Sequence, residues 1–365
     1  MRVESPARVL VAPRKLDSRT VEADIPETGG LLEVEACGLC GTDHEQYSGA
    51  LPGPFPFIPG HEIVGTVREM PPQTAKRLGI NPGERVAVDI FQSCRACSAC
   101  EEGDFRHCRT HGLLDSYGFI SITKPPSLWG GYSRFVYLSE DAVVHRVPAS
   151  VDPVVATLFN PLGAGIRWAV KVPRLEPGET VAILGPGIRG ISALAACKSA
   201  GAGFVLVTGK GERDAVRLRV ASEFGADAIV DIERDDPVRV LKKEAGGLAH
   251  VVVDVTAKAP GALAQAVSMS APGGRIVLAG TKGSADTPGF IPDMVIYKEL
   301  TIIGALGVDS ASYEEALRLI ASRHYPFEDL PRQVVGLEGA EEILRTMGGE
   351  THLEPPLHAV IAPQD

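Results

Sequence analysis

The sequence predicts a two-domain chain in which a barrel-like β domain is followed by a doubly wound α/β domain with a six-stranded parallel sheet. Three observations predict this fold class. The chain has 365 residues, against roughly 150 for one domain. Short strands separated by proline and glycine fill the first third of the chain. From about residue 160, apolar runs alternate with helical patterns.

The β domain is predicted from alternating apolar and polar residues in three short segments, 31–36, 63–67 and 85–88. Turn-forming residues separate these segments, above all in the proline- and glycine-rich stretch 51–60. Short strands with this punctuation are typical of antiparallel, barrel-like folds.

The α/β domain is predicted from apolar runs that are long enough for buried strands, with helical patterns between them. The predicted strands are 181–184, 204–207, 228–230, 251–255, 275–279 and 300–303, and the helices are 191–200, 213–224, 237–244 and 261–269. The tail after Gly304, with helices predicted near 312–321 and 339–347, is expected to rejoin the first domain. The predicted domains are therefore 1–160 with 305–365, and 161–304.

Charge and hydropathy exclude several functions. Lys and Arg total 36 against 46 Asp and Glu, so the net charge is −10. An acidic chain without a basic run is poorly suited to nucleic acid or anionic lipid. No apolar stretch approaches the ~20 residues of a membrane span, and the amino terminus lacks the apolar core of a secretory signal. We expect a cytoplasmic protein with a small-molecule substrate.

One short segment with the pattern C-x2-C-x2-C-x7-C contains Cys94, Cys97, Cys100 and Cys108. Four thiolates spaced so closely on a loop can converge on one tetrahedral Zn²⁺, and a closed four-sulfur shell leaves no position for a reactant. We predict a structural zinc. The alternatives are unrelated buried thiols and an iron–sulfur cluster, although the ferredoxin pattern has a shorter last gap and a following proline. Cys197, inside a predicted helix, is interpreted as a packing residue.

A glycine-rich turn, G-P-G-I-R-G, follows the first strand of the α/β domain and opens a helix. In this context it predicts a dinucleotide site. Gly185 allows the turn, Gly187 lets the backbone approach a pyrophosphate, and Gly190 lets helix and strand pack closely. The helix start, at Ile188 and Arg189, supplies N–H donors for the phosphates. A purely structural turn is the alternative.

The segment after the second strand of this domain bears on the choice of cofactor. The acidic residue that usually holds the adenosine ribose is missing, and Gly209 is followed by Lys210 and Arg213. A carboxylate would repel a 2′-phosphate, whereas glycine leaves room for it and the two cations can pair with it. NADP(H) is therefore favoured over NAD(H), unless Lys210 and Arg213 are ordinary solvated charges.

Cys40 and His61 both lie in the β domain, and either residue alone is weak evidence for a metal site. Their surroundings, C-G-L-C-G-T-D from Cys37 and P-G-H-E-I-V-G from Pro59, occur together with the cysteine segment and the glycine turn. The combination resembles the zinc-dependent medium-chain alcohol dehydrogenases over essentially the whole chain. The resemblance implies a GroES-like β domain, a Rossmann α/β domain, and a homodimer or homotetramer.

The resemblance also implies roles for individual residues. Cys40 and His61 match two ligands of a catalytic zinc, and Glu62 matches the acidic neighbour that lies beside the metal or binds it. Thr42 matches the hydroxyl that passes the substrate proton towards the nicotinamide ribose. Cys37 matches no ligand and is interpreted as a buried strand thiol.

Two positions differ from the family pattern. Asn160 stands where the third ligand is usually Cys, Glu or Asp. A neutral amide oxygen is a weaker zinc ligand, so Asn160 is a candidate that Glu62 or water would supplement. Glu45 stands where a histidine often ends the proton relay, because His44 lies one position early and is expected to point elsewhere. Glu45 would finish the relay, bind a substrate hydroxyl or remain a solvated carboxylate.

Three hypotheses about function follow. The first is a zinc-dependent oxidoreductase that transfers hydride between a secondary alcohol, polyol or sugar-like alcohol and a nicotinamide cofactor. The second is a dehydrogenase for a bulkier apolar alcohol or ketone, suggested by Trp129 and the proline-rich loop 51–59. Tyr47 and Phe55 are the other aromatic candidates for the substrate cleft, although all three are more often core residues. The third is a catalytically silent nucleotide-binding protein, against which the retained Cys40, Thr42 and His61 argue.

Overall fold

The computed structural model of the protein describes residues 1–283 and 285–364. These residues form two units. Unit 1 comprises Met1–Phe159, Asp309–Arg323 and Phe327–Asp365, and unit 2 comprises Asn160–Val308 and His324–Pro326. The sequence placed the boundaries near 160 and 304. Three stretches differ: residue 160 and the segments 305–308 and 324–326 lie in unit 2 rather than in the first domain.

Unit 1 is built mainly of antiparallel strands. They are β1 (Arg2–Ala12), β2 (Lys15–Asp24), β3 (Gly30–Leu39), β4 (Glu62–Glu69), β5 (Arg85–Val88), β6 (Phe135–Leu138), β7 (Val144–Arg146), β14 (Arg332–Val335) and β15 (His358–Ile361). β1 pairs with β2. The others form one sheet in the order β14-β15-β3-β4-β5-β7, with β6 also on β3. The β14–β15 pair is parallel, whereas the sequence predicted antiparallel strands.

Short helices connect these strands. They are α1 (Gly41–Ser48), α2 (Pro72–Leu78), α3 (Ser98–Glu101), α4 (Pro153–Ala156), α11 (Ser310–Ala321) and α12 (Ala340–Met347). The last two match the helices predicted in the tail. α12 provides the crossover that a parallel pair such as β14–β15 requires.

β3 is the central strand of this sheet and is buried along almost its whole length. Its side chains Leu32 and Val34 are 0% exposed because strands pair on both sides of it. Gly38 near its end lies opposite Glu62, the first residue of β4. This register places the residues just after β3 beside those just before β4.

The amino-terminal hairpin of β1 and β2 is absent from the sequence prediction. The usual alternation of apolar and polar residues is broken in this hairpin because polar residues occupy buried positions: Ser5 is 0% exposed and Arg8 is 8% exposed. The Phe135 N–H donates to Ser5 Oγ at 3.0 Å, and Arg8 donates to the Leu16 carbonyl at 3.2 Å. These bonds satisfy polar groups that are buried, and no local pattern in the sequence predicts them.

Unit 2 contains a parallel sheet of six strands in the order β10-β9-β8-β11-β12-β13. The strands are β8 (Thr180–Leu184), β9 (Phe204–Gly209), β10 (Ala228–Asp231), β11 (Ala249–Asp254), β12 (Ser270–Leu278) and β13 (Thr301–Gly304). All six were predicted. The chain first winds outwards from β8 to β10 and then returns to β11 on the other side of β8, so the doubly wound fold is confirmed.

Five helices of unit 2 connect successive parallel strands, as right-handed crossovers require. They are α6 (Ile188–Ser199), α7 (Ala215–Glu223), α8 (Pro237–Val240), α9 (Ala262–Met269) and α10 (Asp293–Tyr297). Before β8 lies α5 (Phe159–Gly165), which continues as a π-helix (Ile166–Lys171).

β13 corrects one detail of the prediction. It was expected to be a buried strand, but Thr301 and Gly304 are exposed and the side chain of Ile302 is 37% exposed. The reason is its position at the edge of the sheet, with β12 on one side.

In the described part of the chain, no helix is both long and apolar enough to cross a membrane.

Candidate active site and metal clusters

The β3–β4 register brings Cys40, His61 and Glu62 together in unit 1. Cys40 is the residue that precedes α1, and its Sγ lies 3.4 Å from Nε2 of His61. The three residues are 3%, 3% and 2% exposed. One ligand atom from each lies within 4.8 Å of the other two.

These distances suit a tetrahedral zinc. Zn–S and Zn–N bonds of about 2.3 and 2.05 Å at a tetrahedral angle separate the sulfur and nitrogen by roughly 3.5 Å. The Cys40–His61 separation of 3.4 Å is close to this value. A thiolate, an imidazole and a carboxylate are the donors that zinc prefers in open sites. The residues present therefore fit the metal.

Asp43, in the first turn of α1, contacts Cys40 and Tyr132 and faces His61. Its Oδ2 accepts the Cys40 N–H at 2.8 Å, and its Oδ1 accepts the hydroxyl of Tyr132 at 3.2 Å and lies 3.9 Å from Nδ1 of His61. The Asp43 carboxylate therefore faces the His61 ring without a hydrogen bond to it, because Nδ1 has no hydrogen-bond partner in the described part of the chain. Neither Asp43 nor Tyr132 was predicted from the sequence, although Asp43 stands in the same motif as Cys40.

A second buried layer lies beside Glu62. A Cβ on Gly38 would collide with the Glu62 carboxylate and come within 3.2 Å of Thr157. Thr157 Oγ1 is 2.9 Å from Nε2 of His358, and Arg332 Nε donates to His358 Nδ1 at 2.9 Å. Because Nδ1 accepts, the ring proton is on Nε2 and points at Thr157. Burial, and then the charge of Arg332, lower the pKa of His358 to about 3.

The four-cysteine cluster is separate from this site along the chain. Cys94, Cys97, Cys100 and Cys108 each offer a sulfur, and these atoms lie within 4.8 Å of one another. The sulfurs of Cys94 and Cys100 are 3.8 Å apart, which is about the separation that Zn–S bonds of ~2.3 Å give in a tetrahedron. The first two cysteines are half-buried and the last two are buried.

Backbone donors favour thiolates in this cluster. The N–H of Ala96 lowers the pKa of Cys94 to about 6, and the N–H groups of Arg109 and Cys100 lower the pKa of Cys97. Burial raises the pKa of Cys100 to about 11. A lowered thiol pKa favours the thiolate, which is the form that binds a metal cation.

Thr42, His44 and Glu45 lie on α1 and are half-buried. The Nε2 atom of His44 is 3.1 Å from Glu350 Oε1. In the part of the chain that the structure describes, the Glu45 carboxylate makes no hydrogen bond or ion pair. It is therefore chemically available for a ligand.

The glycine-rich turn has the local geometry of a phosphate cradle. Gly185 has a φ of +101°, and a Cβ on Gly190 would collide with the Gly185 carbonyl. Gly187 immediately precedes α6, and a Cβ placed there would meet nothing within 4 Å. Ile188 and Arg189 are the first two residues of the helix, so their N–H groups point out of its amino-terminal end.

The segment after β9 contains a buried carboxylate as well as the expected cations. Gly209 ends the strand, and the side chains of Lys210 and Arg213 are 69% and 85% exposed. Asp214 is 5% exposed, accepts the Lys210 N–H at 2.9 Å and lies 3.2 Å from Arg217. Its charge is therefore already matched within the loop.

Asn160, the candidate third ligand, is 1% exposed in unit 2. Its Oδ1 accepts a hydrogen bond from Arg189 at 3.4 Å, and the Arg189 guanidinium lies 5.0 Å from the centre of the Trp168 ring. The amide oxygen that would bind zinc therefore faces a cation. The sequence linked neither Arg189 nor Trp168 to Asn160.

The buried thiols and two of the three candidate aromatic side chains belong to the core. Cys37 and Cys197 are 0% exposed, and burial raises the pKa of both, to about 12 for Cys197. Trp129 is 4% exposed and packs edge-on against Tyr137 at 4.9 Å. Tyr47 is 3% exposed, whereas Phe55 is only partly buried.

Two family models match the chain. The model of the alcohol dehydrogenase GroES-like domain matches residues 27–149, and the zinc-binding dehydrogenase model matches residues 190–322. They cover the strands that hold Cys40 and His61 and most of the α/β unit.

Individual proteins show the same likeness. A Mycobacterium tuberculosis protein named "Probable alcohol dehydrogenase adh" is 56% identical, with 98% of each chain covered. Sorbitol dehydrogenase of Bacillus subtilis is 27% identical over 93% of this chain and 92% of its own. A crystal structure of a Sinorhizobium meliloti zinc-binding dehydrogenase bound to NADP has a TM-score of 0.83 and 25% identity, and covers 99% of this chain and 100% of its own.

Fold and sequence together define a two-domain dehydrogenase with a GroES-like and a Rossmann unit. The chain belongs to the zinc-type medium-chain dehydrogenase/reductase family and is an oxidoreductase that acts on CH–OH donors. The predictions of family, fold class and reaction class from the sequence are confirmed.

Proposed function

We propose that the enzyme oxidises a secondary alcohol, polyol or sugar-like alcohol to the ketone or aldehyde and passes the hydride to a nicotinamide cofactor. The buried Cys40–His61–Glu62 cluster carries this proposal. The half-buried Glu45, on the helix that follows Cys40, adds a polar anchor suited to a substrate with more than one hydroxyl. The 27% identical relative named sorbitol dehydrogenase supports the same substrate class.

The residues of the chain divide the work as follows. Zinc, when bound, supplies the positive charge that makes the substrate hydroxyl acidic. Cys40, His61 and Glu62 hold it. The Thr42 hydroxyl accepts the substrate proton while it donates its own proton towards the nicotinamide ribose, and Glu45 either finishes this relay or binds a second substrate hydroxyl. Asn160 is the further candidate ligand, and its amide oxygen also accepts a hydrogen bond from Arg189.

For the cofactor we favour NADP(H). Lys210 and Arg213 are exposed next to Gly209, where a 2′-phosphate would need partners. Both already form long, exposed ion pairs, Lys210 Nζ with Glu233 at 3.8 Å and Arg213 Nε with Asp214 at 4.0 Å. A 2′-phosphate would have to replace these weak surface pairs. The NADP bound to the Sinorhizobium meliloti protein is consistent with this preference. The four cysteines, as a second zinc site, favour a reducing compartment such as the cytoplasm.

An apolar surface of unit 2 supports a homodimer or homotetramer. Five large side chains in or near the edge strand β13 in sequence are between 37% and 75% exposed: Ile291, Ile296, Tyr297, Ile302 and Leu306. An exposed apolar edge strand is a template for pairing with another chain. Light scattering on the purified enzyme will show the number of chains per particle.

One experiment tests the proposed reaction. Secondary alcohols, polyols and bulky apolar alcohols are offered with NAD⁺ or NADP⁺, and metal content is measured on the same preparation. We expect about two zinc ions per chain and the highest kcat/KM with a polyol or secondary alcohol and NADP⁺. A Cys40→Ala enzyme that retained the parental rate would contradict the proposed zinc chemistry. A strong preference for bulky apolar alcohols would contradict the proposed substrate class.

A further inference from the structure

A buried ion pair lies at the carboxyl end of β11. Asp254, the last residue of this strand, is 0% exposed, and Lys282 lies in the segment that follows β12. Lys282 Nζ is 3.0 Å from both oxygens of the Asp254 carboxylate. β11 and β8 are neighbours at the point where the winding of the sheet reverses. Doubly wound sheets bind their ligands outside the strand ends at this point.

The ammonium of Lys282 is fully used inside this cluster. It donates to Asp254 Oδ1, to the Thr256 carbonyl and, at 2.8 Å, to Thr256 Oγ1. An ammonium has three N–H groups, so these acceptors use all of them. Thr256 also donates to Asp254 Oδ1, from its N–H at 3.0 Å and from its hydroxyl at 2.6 Å. Lys282 therefore compensates a charge and holds Thr256 rather than binding a ligand itself.

Thr256 in turn packs on the glycine-rich turn. A Cβ on Gly185 would lie 3.0 Å from Thr256 Cγ2, and one on Gly280 would collide with the Thr256 carbonyl. The Val255 N–H donates to the Leu184 carbonyl at 3.1 Å. The chain segments that leave β8, β11 and β12 therefore meet around Thr256, on the side where a pyrophosphate is expected.

We propose that Lys282 is a positioning residue for the dinucleotide cofactor. It neutralises Asp254 and keeps the three segments in the arrangement that receives the pyrophosphate. The proposal rests on the nicotinamide cofactor proposed above. Without Lys282 the carboxylate is buried without a counter-charge, and its negative charge then opposes the two phosphate charges of the cofactor.

The central test is the cofactor affinity of a Lys282→Met variant. Titration of intrinsic or nicotinamide fluorescence gives the Kd of NADH and NADPH without turnover. We expect Kd to rise about tenfold or more, since removing one partner leaves the other charge unpaired. The matched control is Lys298→Met. Lys298 also donates to three carbonyls of unit 2, those of Val267, Ser268 and Ser270. The Lys298→Met variant should have a lower Tm, but its Kd for the cofactor should stay within about twofold of wild type.

Removing the negative charge of Asp254 should not weaken cofactor binding in the way that Lys282→Met does. Asp254→Asn leaves the Lys282 charge near the phosphates, so its Kd should stay within about threefold of wild type or fall. The double variant Asp254→Asn/Lys282→Met should recover most of the affinity that Lys282→Met loses. Should Lys282→Met not fold, Asp254→Asn and the charge-retaining Lys282→Arg provide the test, and both are expected to bind within about threefold of wild type.

Several results would overturn the proposal. Lys282→Met could lose thermal stability and keep wild-type Kd, which is the behaviour of a merely structural pair. Asp254→Asn could weaken binding as much as Lys282→Met, which would exclude charge compensation. If wild type bound neither NADH nor NADPH, the proposed cofactor itself would be wrong, and the inference with it. Wild-type binding with an unaffected Lys282→Met would remove the inference alone.

Discussion

The two cysteine-containing clusters of unit 1 are assembled in opposite ways. The four-cysteine cluster draws its ligands from residues 94–108, on a loop with only short helices. The Cys40–His61–Glu62 cluster is buried, and its parts come together through the pairing of β3 with β4. The four-cysteine cluster is therefore formed by residues close in sequence and is partly exposed. The buried cluster exists only when the sheet has formed. The comparison suggests that the loop cluster holds structure and the buried cluster carries chemistry.

Breaking the buried cluster should have the largest effect. In His61→Ala, we expect kcat/KM to fall at least about 1000-fold, because one zinc ligand is lost from the proposed reaction centre. The enzyme should keep one zinc per chain, bound by the four cysteines. Kinetics and metal analysis of the same sample check both statements. A variant with a rate within tenfold of wild type would assign the chemistry elsewhere.

Breaking the loop cluster should affect stability first. Cys97→Ser removes one of four sulfur ligands, so we expect loss of one zinc per chain and of more than about 3 kcal/mol in the free energy of unfolding. Urea unfolding monitored by circular dichroism measures the change. The zinc held by Cys40 should remain. If His61→Ala and Cys97→Ser had the same profile of activity and stability, the distinction between the clusters would fail.

A smaller change tests the support behind the buried cluster. Asp43→Asn keeps the shape of the side chain but removes the charge that faces His61. We expect zinc affinity in this cluster to fall about 10- to 100-fold, as measured by competition with a chelator. Tyr132→Phe, which removes only the hydroxyl bonded to Asp43, is the milder companion and should cost less. Unchanged affinity in Asp43→Asn would show that Asp43 does not tune His61.

The smallest expected effect concerns pH. The pKa of His358 is lowered to about 3 in the folded chain, from about 6.5 when unfolded. Between these values the unfolded chain binds the extra proton, so the stability present above pH 6.5 is lost as the pH falls towards 3. From pH 7.5 to 5.0 this contribution amounts to about 2 kcal/mol.

The matched comparison for this prediction uses two histidine variants. His358→Asn should lack the His358 share of the acid-dependent loss, as seen in urea unfolding at the two pH values. His107→Asn changes an exposed histidine in the loop cluster, with a side chain 64% exposed, and should keep the wild-type dependence. An identical pH dependence in His358→Asn and wild type would refute the assignment.

Local patterns carried much of the prediction. The four cysteines lie within one loop, so their spacing alone indicates a shared ligand. The six strands of unit 2 are short apolar runs with helical patterns between them, and each was found where it was expected. The geometry at Gly185 and Gly190 follows from neighbours only a few residues apart.

Long-range contacts account for what the sequence missed. The exposure of β13 depends on which strand ends the sheet, and the pairing of β1 with β2 hides polar residues in buried positions. Tyr132 reaches Asp43 across 89 residues of chain, and Lys282 reaches Asp254 across 28. A single sequence without an alignment contains no signal for such pairs.

The amino-acid sequence by itself determined the class of this protein, because ligand spacing, glycine conformation and hydrophobic periodicity are local properties of the chain. Only the tertiary structure decided which side chains support them. In the folded chain Asp43 faces His61, the Asn160 amide oxygen accepts a hydrogen bond from Arg189, and the buried Asp254 pairs with Lys282. The physical reason is that a buried polar group must find its partner in space, and strand register and packing, rather than sequence distance, determine which partner is near.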